Sequence, residues 1–186
     1  MTTTALRWLE PGHPEPVRAV ELPGGGGPRE DALLAGARLD GLLCPGPDGR
    51  AATLDLAGSA AARASSLAGR VPGTGAVCLG TAVWVHTGLS HPGHLQVCPA
   101  PGAGRVGTVA LTLVDDDVVV LESLTVTTPL RTACDVARLA PLDRAAAGLL
   151  ALRRGGLDLA EVSVALALQR RRPFVQRGRD LVALLL

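Results

Sequence analysis

The chain contains no Lys, Ile, Asn or Tyr, and Phe174 and Met1 are the sole residues of their types. Its core must therefore be assembled from Leu, Val and Ala. All six depleted types have AT-rich codons, so the depletion reads as the coding bias of a high-GC bacterium rather than as a functional signal. Every permanent cation is an Arg, so an arginine cluster carries less functional weight here than in a chain that also uses Lys. Aromatic residues make up 2% of the chain, which argues against a base-stacking surface for nucleic acid.

At 186 residues the chain is long enough for one domain, or at most two small ones. Hydrophobic residues at 47% exclude a disordered chain, and a net charge of +1 excludes a protein that coats nucleic acid through charge alone. No run approaches the roughly 18 apolar residues of a membrane span. Residues 1–16 include Arg7, Glu10, His13 and Glu15 and have no apolar signal segment. The expectation is a cytoplasmic protein without membrane association. Cys44, Cys78, Cys98 and Cys134 form no CxxC pair, so they are expected as free thiols packed like small hydrophobes.

Punctuation by Pro and Gly divides the chain. Residues 1–28 form a Pro/Gly-rich segment with a short alternating stretch at Val17–Leu22. The run Gly24–Gly27 lacks the Lys-Ser/Thr of a phosphate-binding loop. Residues 29–75 read as a small helical part. Helices are predicted over Arg29–Leu39 and over Ser59–Arg70, the second capped by Ser59. A strand is predicted over Ala51–Leu56.

Residues 76–186 read as an α+β domain. Strands are predicted over Ala76–Leu79, Leu95–Cys98, Val106–Leu113, Val118–Leu121 and Leu124–Val126. A short helix is predicted over Thr81–His86, with Trp84 turned to the core. From Thr128 the pattern becomes helical. Thr128 is a good N-cap and Pro129 a good first residue. Pro141 separates that helix from the next, Gly155-Gly156 ends the second, and Asp158 starts a third, expected to reach about Arg171. A last helix is predicted from Phe174 or Val175 to Leu186.

Few residues point to chemistry. His86, His91 and His94 lie near Cys98; the H-x-x-H of His91 and His94 falls on a Pro/Gly loop, and no carboxylate is among the three. They read as ordinary surface histidines rather than a metal site. Asp115-Asp116-Asp117 reads as a solvated hairpin tip, because neighbouring strand residues point to opposite faces and seldom share one ion. No metal site or other cofactor is expected. No G-x-S-x-G, H-E-x-x-H or paired-glutamate arrangement is present, so nothing points to an enzyme. Arg170-Arg171-Arg172 is the densest basic patch, with Arg177, Arg179, Arg153 and Arg154 able to add to it. Such a patch contacts phosphates or an acidic partner, or else neutralises the end of a helix.

Three segments carry a resemblance. Val126-Thr127-Thr128-Pro129-Leu130-Arg131-Thr132-Ala133-Cys134-Asp135-Val136-Ala137-Arg138 is similar to a family motif of the form V-T-[TS]-P-x-R-T-A-x-D-[LV]-A-R. Gly80–Gly88 and Ala61–Ala68 are similar to two weaker family helices. The chain so resembles the AbiEi-type antitoxins of type IV toxin–antitoxin systems over about residues 36–170. The resemblance implies a non-enzymatic regulator. Its partners would be operator DNA, bound through an N-terminal winged helix, and a cognate nucleotidyltransferase toxin. Here the winged-helix part would be degenerate, since residues 1–50 offer one clear helix and no recognition helix. An alternative is a stand-alone protein-interaction module that has lost DNA binding.

Within the motif, Arg131 and Asp135 are four apart and Asp135 and Arg138 three apart, so both pairs can form on one helix face. Leu130, Ala133, Val136 and Ala137 make the apolar stripe. Thr128, Pro129, Thr132, Asp135 and Trp84 are expected to be structural. Arg131, Arg138, Arg170, Arg171 and Arg172 are the candidates for contacting nucleic acid or a partner. For Arg131 and Arg138 a structural role, tying helix to sheet, competes with binding.

Overall fold

The computed structural model describes residues 27–40, 42–45, 51–53, 58–89, 93–104, 108–169 and 172–186. The fold is α+β, with seven α-helices, a two-stranded hairpin and a four-stranded mixed sheet among the described residues. Helix α1 (Pro28–Leu39) begins on a proline, whose missing N–H has no partner to lose in a first turn. Strand β1 (Leu43–Pro45) pairs antiparallel with β2 (Ala51–Thr53). Leu34 of α1 and Leu43 of β1 are buried together, with Ala37 against them.

The remaining elements follow in order. Helix α2 spans Ala60–Ala68, and Ser59 caps it by accepting from the Ala62 N–H at 3.1 Å. Strand β3 (Gly75–Val77) leads into α3 (Leu79–Thr87), which ends on Gly88 at φ 71°, a conformation glycine adopts freely. After β4 (Val97–Pro99), a 3₁₀ turn at Asp115–Asp117 feeds β5 (Val118–Leu121) and β6 (Leu124–Thr127). Four helices complete the chain: α4 (Pro129–Leu139), α5 (Leu142–Arg154), α6 (Leu159–Leu168) and α7 (Val175–Leu185).

The sheet order is β4-β3-β6-β5. Both outer pairs are antiparallel, and β3 and β6 run parallel with Val77 opposite Val126. Alternation along the strands sends side chains to two cores. Ala76, Cys78 and Cys98 join the larger core, built with α4, α5, α6 and α7. Val77, Val97, Leu124 and Val126 join a smaller core with Ala64 and Leu67 of α2. Helix α3 is a wedge between the two. Val83 faces the larger core, while Ala82, Trp84 and Val85 belong to the smaller one. Helices cover both sheet faces, which is why these strands read as continuous apolar runs.

Helix α4 is the hub of the helical part and packs against α3, α5, α6 and α7. One close approach depends on a glycine. A Cβ on Gly178 would lie 3.1 Å from Arg138 Cγ and 3.5 Å from Ala137 Cβ, so a side chain there would push α7 away from α4.

Several sequence expectations change. The described part of Val106–Leu113 forms no strand. Its backbone is satisfied in other ways: the Thr108 and Val109 N–H groups both donate to the Val97 carbonyl, and the Thr112 carbonyl accepts from Arg131. The acidic tripeptide is not a hairpin tip. The hairpin turn is Glu122-Ser123 between β5 and β6, with Glu122 at φ 54°. Leu79 opens α3 instead of closing β3. Helix α6 ends at Leu168 rather than near Arg171. The expectations at Val17–Leu22, His91, Arg170 and Arg171 lie outside the described residues, as does residue 54 onward in the strand predicted over Ala51–Leu56.

Candidate functional site

The motif that carries the resemblance folds as one unit, starting from the junction of β6 and α4. The Thr128 hydroxyl accepts from the Arg131 N–H at 3.3 Å, and Pro129 occupies the first helical turn. The buried Thr127 and Thr132 hydroxyls share a hydrogen bond of 2.7 Å, and Thr132 also reaches the Thr127 carbonyl at 3.1 Å. The helix start is thus stitched to the strand it leaves.

The charged residues of α4 turn inward. Arg131, Asp135 and Arg138 are 6%, 1% and 3% exposed. Arg131 Nε donates to Asp135 Oδ2 at 2.6 Å, its Nη1 to Asp117 Oδ2 at 2.5 Å, and its Nη2 to the Thr112 carbonyl at 3.1 Å. Arg138 Nη1 donates to Asp135 Oδ1 at 3.3 Å and to Gln169 Oε1 at 3.1 Å, and its Nε to the Pro173 carbonyl at 3.1 Å. Two arginines and two aspartates cancel in charge, which is the condition for keeping ions inside a fold. Burial works against the Arg131 charge, but Asp135 and Asp117 outweigh it and hold the guanidinium pKa above its ordinary value. Burial pulls Arg138 below its ordinary value, against the pull of Asp135 and with help from the neighbouring charges of Arg172 and Arg131. Both remain cations at neutral pH.

This arrangement favours the structural role for Arg131 and Arg138 over a contact with nucleic acid or a partner. Each directs three hydrogen bonds to internal acceptors, and the pair ties α4 to the 3₁₀ turn on one side and to the α6–α7 connection on the other.

The C-terminal arginines separate into two groups. Arg177 donates to the carbonyls of Arg138 and Ala140, at the end of α4. Arg179 donates to the carbonyls of Leu166 and Ala167, at the end of α6. Arg153 donates to the Leu185 carbonyl at 2.9 Å, at the end of α7. These three cap helix C-termini, where carbonyls lack partners and cations are favoured. Arg172 is exposed, so of the triplet the described residue is available to a partner.

His86 is half-buried, and its Nε2 lies 2.7 Å from the Thr127 carbonyl, so Nε2 carries the hydrogen and donates. The buried Arg63 donates to the Val85 carbonyl at 2.8 Å and the His86 carbonyl at 3.2 Å, capping the end of α3. Burial, with the Arg63 charge, lowers the His86 pKa against the opposing effect of Thr127. The folded chain therefore refuses a proton that the unfolded chain accepts. Stability is expected to fall as pH drops below about 6.5 toward the lower folded value, because the unfolded state binds more protons in that window. Urea midpoints at pH of about 7.5 and about 5.5 check this. His86→Gln should flatten the difference, and an unchanged difference in that variant would remove His86 as its source.

Cys78, Cys98 and Cys134 are free and buried, and Cys98 Sγ donates to the Ala76 carbonyl at 3.5 Å. Burial pushes the Cys134 thiol up to about 11. Among the described residues no group of three or more His, Cys, Asp or Glu is placed to hold a metal ion. No described helix is long and apolar enough to cross a membrane.

A cavity of about 400 Å³ opens beside the motif, between the start of α3, residues 93–96, the end of α4 and α5. Gln96 Oε1 accepts from the Gly80 N–H at 2.8 Å, and the Gln96 N–H donates to the Thr81 hydroxyl at 3.0 Å, so the 93–96 segment is fastened to the first turn of α3.

No protein family matches the chain, and no curated protein or solved structure matches it either. The site rests on its own geometry. The residues that the sequence singles out within α4 come together in the structure, with Thr128, Pro129, Thr132 and Asp135 in structural positions and Trp84 buried in the smaller core. Two residues escape the sequence reading. Asp117, part of an acidic run that reads as exposed, completes the Arg131 pairing across 14 residues. Arg63 sits in a recognised helix, yet nothing in its local sequence names the carbonyls it caps.

Proposed function

We propose that this chain is a non-catalytic, cytoplasmic, antitoxin-like regulatory protein that contacts operator DNA or a cognate nucleotidyltransferase toxin. The partners follow from the resemblance of residues 126–138. The observation that supports the reading is that this motif works as a single internal brace. Its polar groups lock β6, α4, the 3₁₀ turn and the α6–α7 connection into one scaffold. Recognition then belongs to surface arginines, with Arg172 exposed just before α7 and Arg170 and Arg171 adjacent in sequence.

The test is fluorescence anisotropy of the purified chain on its own upstream DNA and on scrambled DNA, at two salt concentrations. Specific binding that weakens as salt rises is expected. Arg170→Ala/Arg171→Ala/Arg172→Ala should weaken it and lower the salt slope by roughly one unit for each lost phosphate contact, with Tm unchanged. A large loss of stability with unaltered affinity would remove the triplet from the interface.

A second reading, a protein-interaction module without DNA binding, is favoured by the outward arc of α6. Ala160, Val164, Ala167 and Leu168 lie along it, with Val164 and Leu168 62% and 80% exposed. Exposed apolar residues at this helical spacing are a recurring protein-docking pattern. Absence of DNA binding at both salt concentrations transfers the assignment to this reading.

A further inference from the structure

The geometry points to a second cavity, between the ends of α3 and α5 and the start of α4, as a binding site for a small uncharged molecule that donates one O–H or N–H bond from an apolar body. Its volume of about 300 Å³ is at the small end of ligand pockets. His86 and Thr87 reach it from the last turn of α3, Pro129 from the first residue of α4, and Leu152 from the last turn of α5. Leu157 closes it from the turn that leads to α6.

His86 supplies the polar contact. The Thr127 carbonyl can only accept, so the Nε2 that lies 2.7 Å from it carries the ring hydrogen. The other ring nitrogen, Nδ1, is left with a bare lone pair, and among the described residues no group donates to it. It is not sealed in the interior either, because no described buried side-chain nitrogen or oxygen lacks a partner. An unpaired Nδ1 must therefore reach accessible space, and His86 lines this cavity. The bond to Thr127 sets the tautomer and the ring orientation, so the acceptor is in place before a ligand arrives. Burial and the Arg63 charge keep the ring neutral, and the lone pair persists at neutral pH.

The Thr87 hydroxyl does not compete. It donates to the Val83 carbonyl at 2.7 Å and accepts from the Leu89 N–H at 3.1 Å. Pro129, Leu152 and Leu157 are apolar, and among the described residues no charged side chain lines the cavity. An ion would find no counter-charge there, and a molecule without a donor would leave the lone pair unpaired. One donor on an apolar body is the complement of this lining.

This inference concerns the chain's own cavity and stands apart from DNA or toxin binding. The experiment is a calorimetric titration of the full chain with phenol, anisole and benzoate, joined to nitrogen NMR of the histidine side chains. Phenol is expected to bind saturably. Anisole, which has the same ring and no donor, should bind about tenfold more weakly, and benzoate, which can only accept, not at all. The His86 Nδ1 resonance, traced from its own backbone, should move upfield as phenol binds and stay in place with anisole. Leu157→Trp narrows the cavity from a half-buried position and should weaken phenol about tenfold with circular dichroism intact. The assignment is overturned by absence of saturable phenol binding, by equal affinity for phenol and anisole, by benzoate binding as tightly as phenol, or by phenol binding that leaves the Nδ1 resonance unmoved. A Leu157→Trp variant that folds and binds phenol like the parent overturns it as well. Should that variant not fold, the nitrogen shift on the parent chain decides.

Discussion

Asp135→Ala is expected to destabilise the fold by about 3–5 kcal/mol, enough to unfold many domains of this size. The carboxylate is 1% exposed and accepts from Arg131 through one oxygen and from Arg138 through the other. Removing it leaves Arg131 with Asp117 and strips the buried Arg138 of the carboxylate it pairs with. The cost is that of uncompensated charge in a low-dielectric interior, not the loss of one surface pair, which is worth at most about 1 kcal/mol. Asp135→Asn keeps the volume and one acceptor but still removes the charge, so it should fall close to the alanine variant. The double variant Arg131→Ala/Asp135→Ala should cost less than the sum of its two single changes, because the second removal takes away a charge that the first left stranded. Urea denaturation followed by circular dichroism checks all three. A loss below about 1 kcal/mol for Asp135→Ala would mean that water reaches this site and that the brace is not what holds the helices together.

The contrast between Asp135 and Asp117 indicates how far the sequence alone can be read. Asp135 and its two arginines lie within one helix at spacings of three and four, so their meeting follows from helical geometry and is legible in the sequence. Thr128 and Pro129 are legible for the same reason, since capping is a local event. Asp117 is different. Its partner arrives through the fold of β5 and β6, and an acidic tripeptide beside apolar strands has the same local pattern whether solvated or buried. The segment Val106–Leu113 misleads in the opposite direction. Its Val and Thr content suits a strand, and it lies beside β4, an edge strand of the sheet, but it forms no ladder there. Instead, the Val97 carbonyl takes two N–H groups from this segment and Arg131 takes the Thr112 carbonyl, so side chains and bifurcated bonds replace a ladder. The arginines near the C-terminus read as one patch because a sequence carries their charge and not their direction. Arg153, Arg177 and Arg179 each end on helix carbonyls, and this separates them from Arg172. The larger cavity has no sequence signal at all. Its walls come from α3, α4 and α5, and Gly80 and Gly148, which line it, resemble ordinary helix glycines along the chain.

Trp84→Ala is the second large expected loss, about 3–5 kcal/mol. Trp84 is 3% exposed in the core made by Leu67, Val77, Val97, Leu124 and Val126. It is the single aromatic among these residues, in a core whose other side chains are Leu, Val and Ala. Short branched neighbours fixed on a sheet and on α2 have little reach to refill an indole-sized space, so the cavity should stay largely open. Trp84→Leu should recover part of the loss, in proportion to the volume it restores. Because α3 is shared between the two cores, the alanine variant is also expected to loosen Val83 against Val136 and Gly148. Trp84 packs in the smaller core while Asp135 pairs with Arg131 and Arg138, so the costs of Trp84→Ala and Asp135→Asn should add to within about 0.5 kcal/mol. Strong non-additivity in denaturation would show that the two cores behave as one. A cost for Trp84→Ala near that of a surface change, about 0.5 kcal/mol or less, would mean that α3 is not wedged between them.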